Sequence, residues 1–476
     1  MIVPRPGLAR LRPDSLGGVS VEGLQQATEK MRAADVNPLA IEVFAHYYRL
    51  VERGESGMIP EAEIEPLDSP ALADAQVDPG AATEALRRTV VIKLNGGLGT
   101  SMGMDRAKSL LEAREGLSFL DVIARQVLAL REAHEAPLPL IFMNSFRTAE
   151  DSRAALARYG DLPVAGLPSD FLQSKEPKLL ASYLTPVDWP ADPELEWCPP
   201  GHGDLYPAMR GSGLLDRLID AGFLHVFVSN SDNLGATADP RVAGWFASSG
   251  APFAIEAVRR TPSDRKGGHF ARRRSDGRIV LRESAQTLPE EKEALANLDR
   301  HRFMSTNNLW FDLEAMRAAL DARDGVLGLA LIKNLKHLDP ADPSTPEVVQ
   351  IETAMGAAIE VFDGAATVEV TRERFVPVKT TNDLLVLRSD CYRLQVDCTL
   401  RLDAAQVPYV DLDPTCYKRV ADFEARFPDG APSLRKASSL VVRGDWTFGA
   451  DVTVTGDARL DDKGPGPRVD SGSTLG

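Results

Sequence analysis

The hydrophobic pattern along this chain of 476 residues changes period as it runs, and each period predicts a different kind of element. From Val21 the apolar spacing is helical, breaks at Asn37-Pro38, and resumes with Ile41, Phe44, Ala45, Tyr48 and Val51 on one face. Residues 53–86 are rich in Pro, Asp, Glu and Ala without a sustained period, and read as a surface connection with no function of its own. The apolar run Thr89 to Ile92 then reads as a strand that ends in the glycine-rich turn Leu94-Asn95-Gly96-Gly97-Leu98-Gly99-Thr100-Ser101-Met102-Gly103.

Beyond that turn, strands and helices alternate. Helices are predicted at Phe119 to His134, Thr148 to Tyr159, Leu214 to Ala221, Pro240 to Ala247 and Leu313 to Leu320. Strands are predicted at Leu138 to Met143, Leu224 to Ser229, Phe253 to Val258 and Phe303 to Phe311, and Asp276-Gly277 reads as the turn of an inserted hairpin. Apolar strands alternating with helices imply an α/β protein with a three-layer, mostly parallel sheet. Ligands of such sheets sit at the carboxyl ends of the strands, so residues just past each strand carry the information.

The end of the chain obeys another rule. Leu440, Trp446, Val452 and Ala458 are six residues apart, as are Val442, Phe448, Val454 and Leu460, with Asp445, Asp451 and Asp457 in the same register. A six-residue repeat describes stacked coils of a short β-helix that bury the repeated apolar positions. The tail Asp462 to Gly476 is rich in Gly, Pro and Ser and reads as loosely ordered. The expected organisation is a helical segment and connection over 1–85, a catalytic domain over 86–390, and a C-terminal domain with the short β-helix over 391–476.

Composition narrows the partners. With 69 acidic against 54 basic side chains the formal net charge is −15, which argues against nucleic acid or an anionic membrane as the main partner. Residues 1–18 hold three prolines and no signal-like apolar core, and no run approaches about 18 apolar residues, so a cytoplasmic protein is expected. Four cysteines without a CxxC pair suggest reduced thiols. An anionic substrate would need local cations set against the global charge.

Such cations are present. The glycines of the 94–103 turn let amide groups approach bound oxygens, which suits phosphate, although the spacing matches neither the dinucleotide fingerprint nor the P-loop. Past the strand ending at Ser229 comes Asn230-Ser231-Asp232, where one carboxylate can hold Mg²⁺ that takes its remaining oxygens from water and phosphates. Lys108 and Lys379 are placed to reach phosphate oxygens. Pro199-Pro200-Gly201-His202-Gly203-Asp204 is too rigid for a helix or a central strand and displays His202. Gln173 offers the acceptor and donor that match a uracil edge. Asn307, Asn308 and Glu283 are candidates for sugar hydroxyls.

The runs LNGGLGTSMG, Ala107-Lys108-Ser109-Leu110, Met143-Asn144-Ser145-Phe146, PPGHGD, NSDNLGA, TNNLW and PVKTTNDLL stand in the order and approximate spacing of one family. Through them the chain resembles the eukaryotic-like UTP–glucose-1-phosphate uridylyltransferases over roughly residues 20–460. The resemblance implies a GT-A-like central domain, a left-handed hand for the β-helix, and reversible uridylyl transfer from UTP to glucose-1-phosphate with Mg²⁺. It also implies that Leu94, Asn95, Gly96 and Gly97 contact uridine and phosphates, that Gln173 reads uracil, and that Gly201, Asn230, Ser231 and Asp232 complete the nucleotide site. His202 would touch glucose-1-phosphate, Asn307 and Asn308 the sugar, Lys108 and Lys379 the phosphates, and Asp232 the Mg²⁺. Self-association through the β-helix is compatible with the family, whose members range from monomers to larger assemblies. The rivals are a pyrophosphorylase for N-acetylglucosamine-1-phosphate or several sugars, against which Asn95 argues, a non-catalytic nucleotide-sugar sensor, and a hexapeptide acyltransferase. One departure is Met104-Asp105-Arg106-Ala107, where eukaryotic members usually have a Cys-Lys-Gly-Pro-like segment.

Overall fold

Strand β1 (Thr89–Asn95) runs through the middle of a seven-stranded sheet, and only Leu94 of its seven residues escapes burial. The other strands are β2 (Leu140–Asn144), β3 (Asp170–Leu172), β4 (His225–Asn230), β5 (Phe253–Arg259), β6 (Phe303–Asp312) and β7 (Ala366–Glu369), in the spatial order β7-β5-β6-β4-β1-β2-β3. Neighbours are parallel except around β6, which is antiparallel to both β4 and β5. Parallel pairing of β4, β1 and β2 puts Asn230, Leu94–Asn95 and Asn144 in one row at the carboxyl edge. The computed structural model describes residues 16–261, 264–265 and 267–476, so the proline-rich start lies outside it.

The near-continuous apolar strands are explained by cores on both faces of the sheet. Val91 and Phe227 face one core with Phe119, Ile123 and Phe246. Their neighbours Val90, Ile92, Val226 and Val228 face the other, with Leu214, Leu218, Leu313 and Met316. Each such side chain contributes about 1.5–3 kcal/mol by leaving water. Helix Phe119–His134 starts where Ser118 and Asp121 form a reciprocal capping box. Helices Leu16–Ala33 and Pro38–Glu52 bury Phe44, Tyr48 and Val51 against Leu179, Leu331, Val349 and Ile351 of a small three-stranded sheet.

Two sequence expectations are corrected. Residues 53–86 are built into the domain: Ile64–Pro66 pairs antiparallel with His269–Arg273 of the inserted hairpin, and Pro79–Arg87 is a helix capped by Asp78. Glu61 accepts from Arg282 (2.6 Å) and Arg300 (2.6 Å) and pairs with His301 Nε2 (2.9 Å), while the His269 and His301 rings stack 3.6 Å apart. The elements there are too short to show a period, which is why the sequence hid them. The tail is also ordered, because Arg468–Val469 and Thr474–Leu475 each add to a parallel ladder.

That ladder explains the hexads. Strands Tyr409–Leu412, Ser433–Val442, Thr453–Leu460 and Thr474–Leu475 pair in parallel in chain order. Leu440 lies beside Ala458 and Val442 beside Leu460, so residues three hexads apart stack directly. Leu440, Val442, Phe448, Val452 and Val454 are all buried.

Candidate functional site

The carboxyl edge of β1, β2 and β4 forms the floor of a cleft. It is lined by the 94–97 turn, Lys108 and Ser109, Gln173, Pro199, Gly201, His202, Asn230 to Asp232, and Lys379. The central feature is one carboxylate between two ammonium groups. Lys108 Nζ lies 2.8 Å from Asp232 Oδ2, and Lys379 Nζ lies 2.8 and 3.0 Å from the two oxygens. Burial alone would raise the Asp232 carboxyl, but the charges of Lys379 and Lys108 outweigh it and hold the group below its ordinary value. Asp232 is therefore ionised at neutral pH.

The backbone fixes the two lysines from opposite sides. The Lys108 amide donates to Gly97 O (3.0 Å), and its Nζ also reaches Val378 O. The Lys379 amide donates to Asp383 Oδ2 (2.8 Å), within the capping box that starts helix Thr381–Arg388. Val378 N bonds Asp232 O (3.0 Å), so the segment carrying Lys379 is stitched to the loop carrying Asp232. The capping box is a local motif, whereas the Val378–Asp232 contact joins segments that no local motif connects.

Gln173 follows β3, and its amide donates to Asn144 O (2.8 Å). Gly96 packs directly beside it: a Cβ there would lie 2.7–2.9 Å from the Gln173 side-chain amide and push it aside. Gly201 has φ +78°, and a Cβ would lie 2.5 Å from Thr353 O. That tight passage sets His202, whose Nδ1 accepts from Met355 N (2.9 Å), so the proton of the neutral ring sits on Nε2. Burial, followed by the Lys379 charge, pushes His202 down to about 4. Asp204 ties this loop to the Gln173 strand by accepting from Ser174 N (2.5 Å), and burial pushes its carboxyl up to about 7. Ser231 Oγ is buried without a hydrogen-bond partner and belongs to the cleft lining.

Two predicted residues are placed differently. The Asn95 side chain is spent inside the protein, donating to Asn144 Oδ1 and Ser152 Oγ (both 2.8 Å). Asn308 is fully buried beneath the cleft, donating to Glu256 Oε2 (2.9 Å) and Arg374 O (3.3 Å). Asn307, with φ +57°, lines an adjoining cavity with Glu283, Gly268, Asn230 and Lys379. Burial raises the Glu283 carboxyl. Sequence reasoning missed the ionic floor made by Lys93, Glu256 and Arg374, because each is a lone charge in an apolar run or a loop.

A model of the family described as UTP–glucose-1-phosphate uridylyltransferase matches residues 41–455. The barley (Hordeum vulgare) UTP–glucose-1-phosphate uridylyltransferase is 35% identical over 454 residues, covering 92% of each chain. The Saccharomyces cerevisiae protein of that name is 39% identical over 375 residues, covering 78% of this chain and 73% of the relative. Among solved structures, a Trypanosoma brucei UDP-glucose phosphorylase superposes with a TM-score of 0.89 at 40% identity, covering 95% of this chain and 98% of that one. A variant of the Leishmania major UDP-glucose pyrophosphorylase in complex with UDP-glucose gives a TM-score of 0.89 at 39% identity, with the same coverage.

Proposed function

The chain belongs to the UTP–glucose-1-phosphate uridylyltransferase family and transfers the uridylyl group of UTP to glucose-1-phosphate, and from that premise we propose how its residues do so. The observation that carries the reading is the carboxylate of Asp232 held between Lys108 and Lys379 across from the Gly96–Gly97 turn. The cluster lines the open cleft and Lys379 is more than half exposed, so the pairing is exchangeable: when phosphates enter, the ammonium groups turn from one carboxylate to several phosphate oxygens.

In the reaction an oxygen of the glucose-1-phosphate phosphate attacks the α-phosphorus of UTP in line. The bond from that phosphorus to the bridging oxygen breaks, and its electron pair leaves with pyrophosphate. The attacking oxygen is already ionised, so no general base is needed. Catalysis is positioning and charge neutralisation. Lys108 and Lys379 bind phosphate oxygens, and the Nε2–H of His202 donates to the sugar phosphate. Gln173 pairs with the uracil edge, amides of Gly96 and Gly97 approach the nucleotide, and Asn307 with Glu283 faces the sugar. Asn308 supports Asn307 from below.

The donor chemistry fits Mg²⁺. An ionised carboxylate and the unpartnered Ser231 hydroxyl both line the cleft, and a hard cation of this kind keeps waters and takes phosphate oxygens. Asp232 would hold it, and when bound it would neutralise phosphate charge.

We read the sheet as GT-A-like and the C-terminal coils as a left-handed β-helix whose end strands offer an edge for self-association. The three-hexad stacking supports the coils. A cytoplasmic enzyme is the matching expectation; no helix among the described residues is long and apolar enough to cross a membrane. The test is pyrophosphate release with Mg²⁺ from each nucleoside triphosphate, crossed against glucose-1-phosphate, galactose-1-phosphate and N-acetylglucosamine-1-phosphate. Release confined to UTP with glucose-1-phosphate, and abolished by a chelator, is the expected result. Equal release from CTP would overturn the Gln173 assignment, and undiminished release in chelator the metal assignment.

A further inference from the structure

Glu256 lies on β5 with no exposure to solvent, and its carboxylate receives four donors. Oε1 accepts from Arg374 Nη2 (2.6 Å) and Trp310 Nε1 (3.0 Å). Oε2 accepts from Arg374 Nε (2.7 Å) and Asn308 Nδ2 (2.9 Å). Four donors use the full acceptor capacity of a carboxylate, so nothing in this hub is left to bind ligand. None of its partners lines the cleft.

The hub nevertheless holds both jaws of the site. Arg374 Nη2 reaches Thr237 O (2.9 Å), the far end of the loop that carries Asp232. Arg374 O accepts from Asn233 Nδ2 (3.2 Å), and Asn233 Oδ1 accepts from Val376 N (2.8 Å). Lys93 Nζ anchors the same loop from β1, donating to Ser229 Oγ (2.7 Å) and Ala236 O (2.6 Å). The backbone of 374–379, which ends in Lys379, is thus locked to the backbone of 230–237 around one buried charge. Gly235 permits this contact, since a Cβ there would lie 2.2 Å from Glu373 O.

We propose that Glu256 is a positioning residue for uridylyl transfer: through Arg374 and Asn233 it sets the separation of Asp232 and Lys379 without touching substrate. The proposal rests on the reading that these two residues act on the phosphates. A shift of about 1 Å in such a group is enough to cost a large factor in the chemical step. UTP binding, spread over Gln173 and the glycine turn, has no direct tie to the hub and changes far less, whereas Asn308 links the hub to Asn307 on the sugar side.

The experiment compares kcat, both KM values and thermal melting for the full chain, Glu256→Gln, Glu256→Gln/Arg374→Met and Lys379→Ala. In Glu256→Gln, kcat falls by about tenfold or more while KM for UTP stays within about threefold. The double variant no longer strands the Arg374 charge, so it melts closer to the parent than Glu256→Gln does, yet kcat stays low. A merely structural role would make kcat follow stability and recover with it. A folded variant of either kind with kcat within about twofold of the parent overturns the proposal. If that happens while Lys379→Ala is strongly impaired, only the proposal fails; parent-like turnover in Lys379→Ala instead removes the reading of the site on which it stands.

Discussion

At the mouth of the cleft Lys108 and Lys379 share the carboxylate of Asp232, and beneath it Arg374 pairs with the carboxylate of Glu256 while Lys93 nearby bonds Ser229 and Ala236, so a carboxylate meets cations in two different surroundings. The Lys379 side chain is 57% exposed, while Lys108 and Asp232 beside it are 15% exposed each; that of Glu256 is wholly buried and that of Arg374 is 9% exposed. Near water an ion pair is weak and can be traded for a phosphate. In the interior each ion has lost its hydration, so removing one partner leaves the other stranded. The mouth is accordingly built for exchange and the floor for permanence. The largest expected effect follows. Glu256→Ala destabilises the fold by about 3–5 kcal/mol, whereas Lys379→Ala, at the exposed side of the mouth, changes stability by about 1 kcal/mol or less. Urea unfolding of both variants checks this, and similar losses would erase the contrast between mouth and floor.

Activity sorts the two regions the other way. Lys108→Ala and Lys379→Ala each lower kcat by about 10²-fold or more, the scale of losing one preorganised electrostatic group, while their melting curves overlay the parent. Initial rates at saturating UTP and glucose-1-phosphate provide the measurement. Near-parental turnover in both variants would mean that the cations at the mouth are surface charges and nothing more.

The mouth was legible in the sequence and the floor was not, for a physical reason. Tight turns at a ligand need glycine and proline, so NGG, PPGHG and the residues after each strand announce themselves by local chemistry. Lys93 and Glu256 interrupt apolar strands one residue at a time, and Arg374 sits far away in the chain. Their meaning arises only when three distant segments meet, and no spacing encodes it. Asn307 and Asn308 part for a reason no spacing shows either: in an irregular stretch of β6 Asn307 takes φ +57° and lines the adjoining cavity, while Asn308 joins the hub. The alternation of strands and helices and the hexads were readable because their periods repeat, while the short elements of 53–86 had none.

Lys93 gives the floor a pH signature. Burial, then the Arg374 charge, pushes it down to about 7 from 10.5, with Glu256 opposing. Between those values the unfolded chain holds a proton that the folded chain has released. Stability therefore rises with pH through this window, and below about 7 the folded state carries the full cost of a buried cation. The contribution between pH 7 and pH 9 is up to about 2 kcal/mol. Lys93→Met, similar in size and uncharged, removes this rise and melts at least as well as the parent at pH 7. A parent and variant with parallel stability curves over that range would show that Lys93 does not titrate there.

Ser231 offers the smallest effect and the sharpest contrast. Its hydroxyl is buried in the cleft lining with no partner, a state that costs stability because the group has given up water for nothing. No residue of the floor is treated this way: the Glu256 oxygens are saturated and Lys93 donates twice. A ligand that completes an unpaired polar atom at the mouth would relieve that cost. Ser231→Ala should therefore melt slightly above the parent, by about 0.5–1 kcal/mol in stability, while its affinity for UTP falls severalfold. The two shifts must have opposite signs for the comparison to hold. Calorimetric titration of UTP beside urea unfolding would decide it, and a variant that lost both stability and affinity would return Ser231 to the fold's own hydrogen-bonding needs.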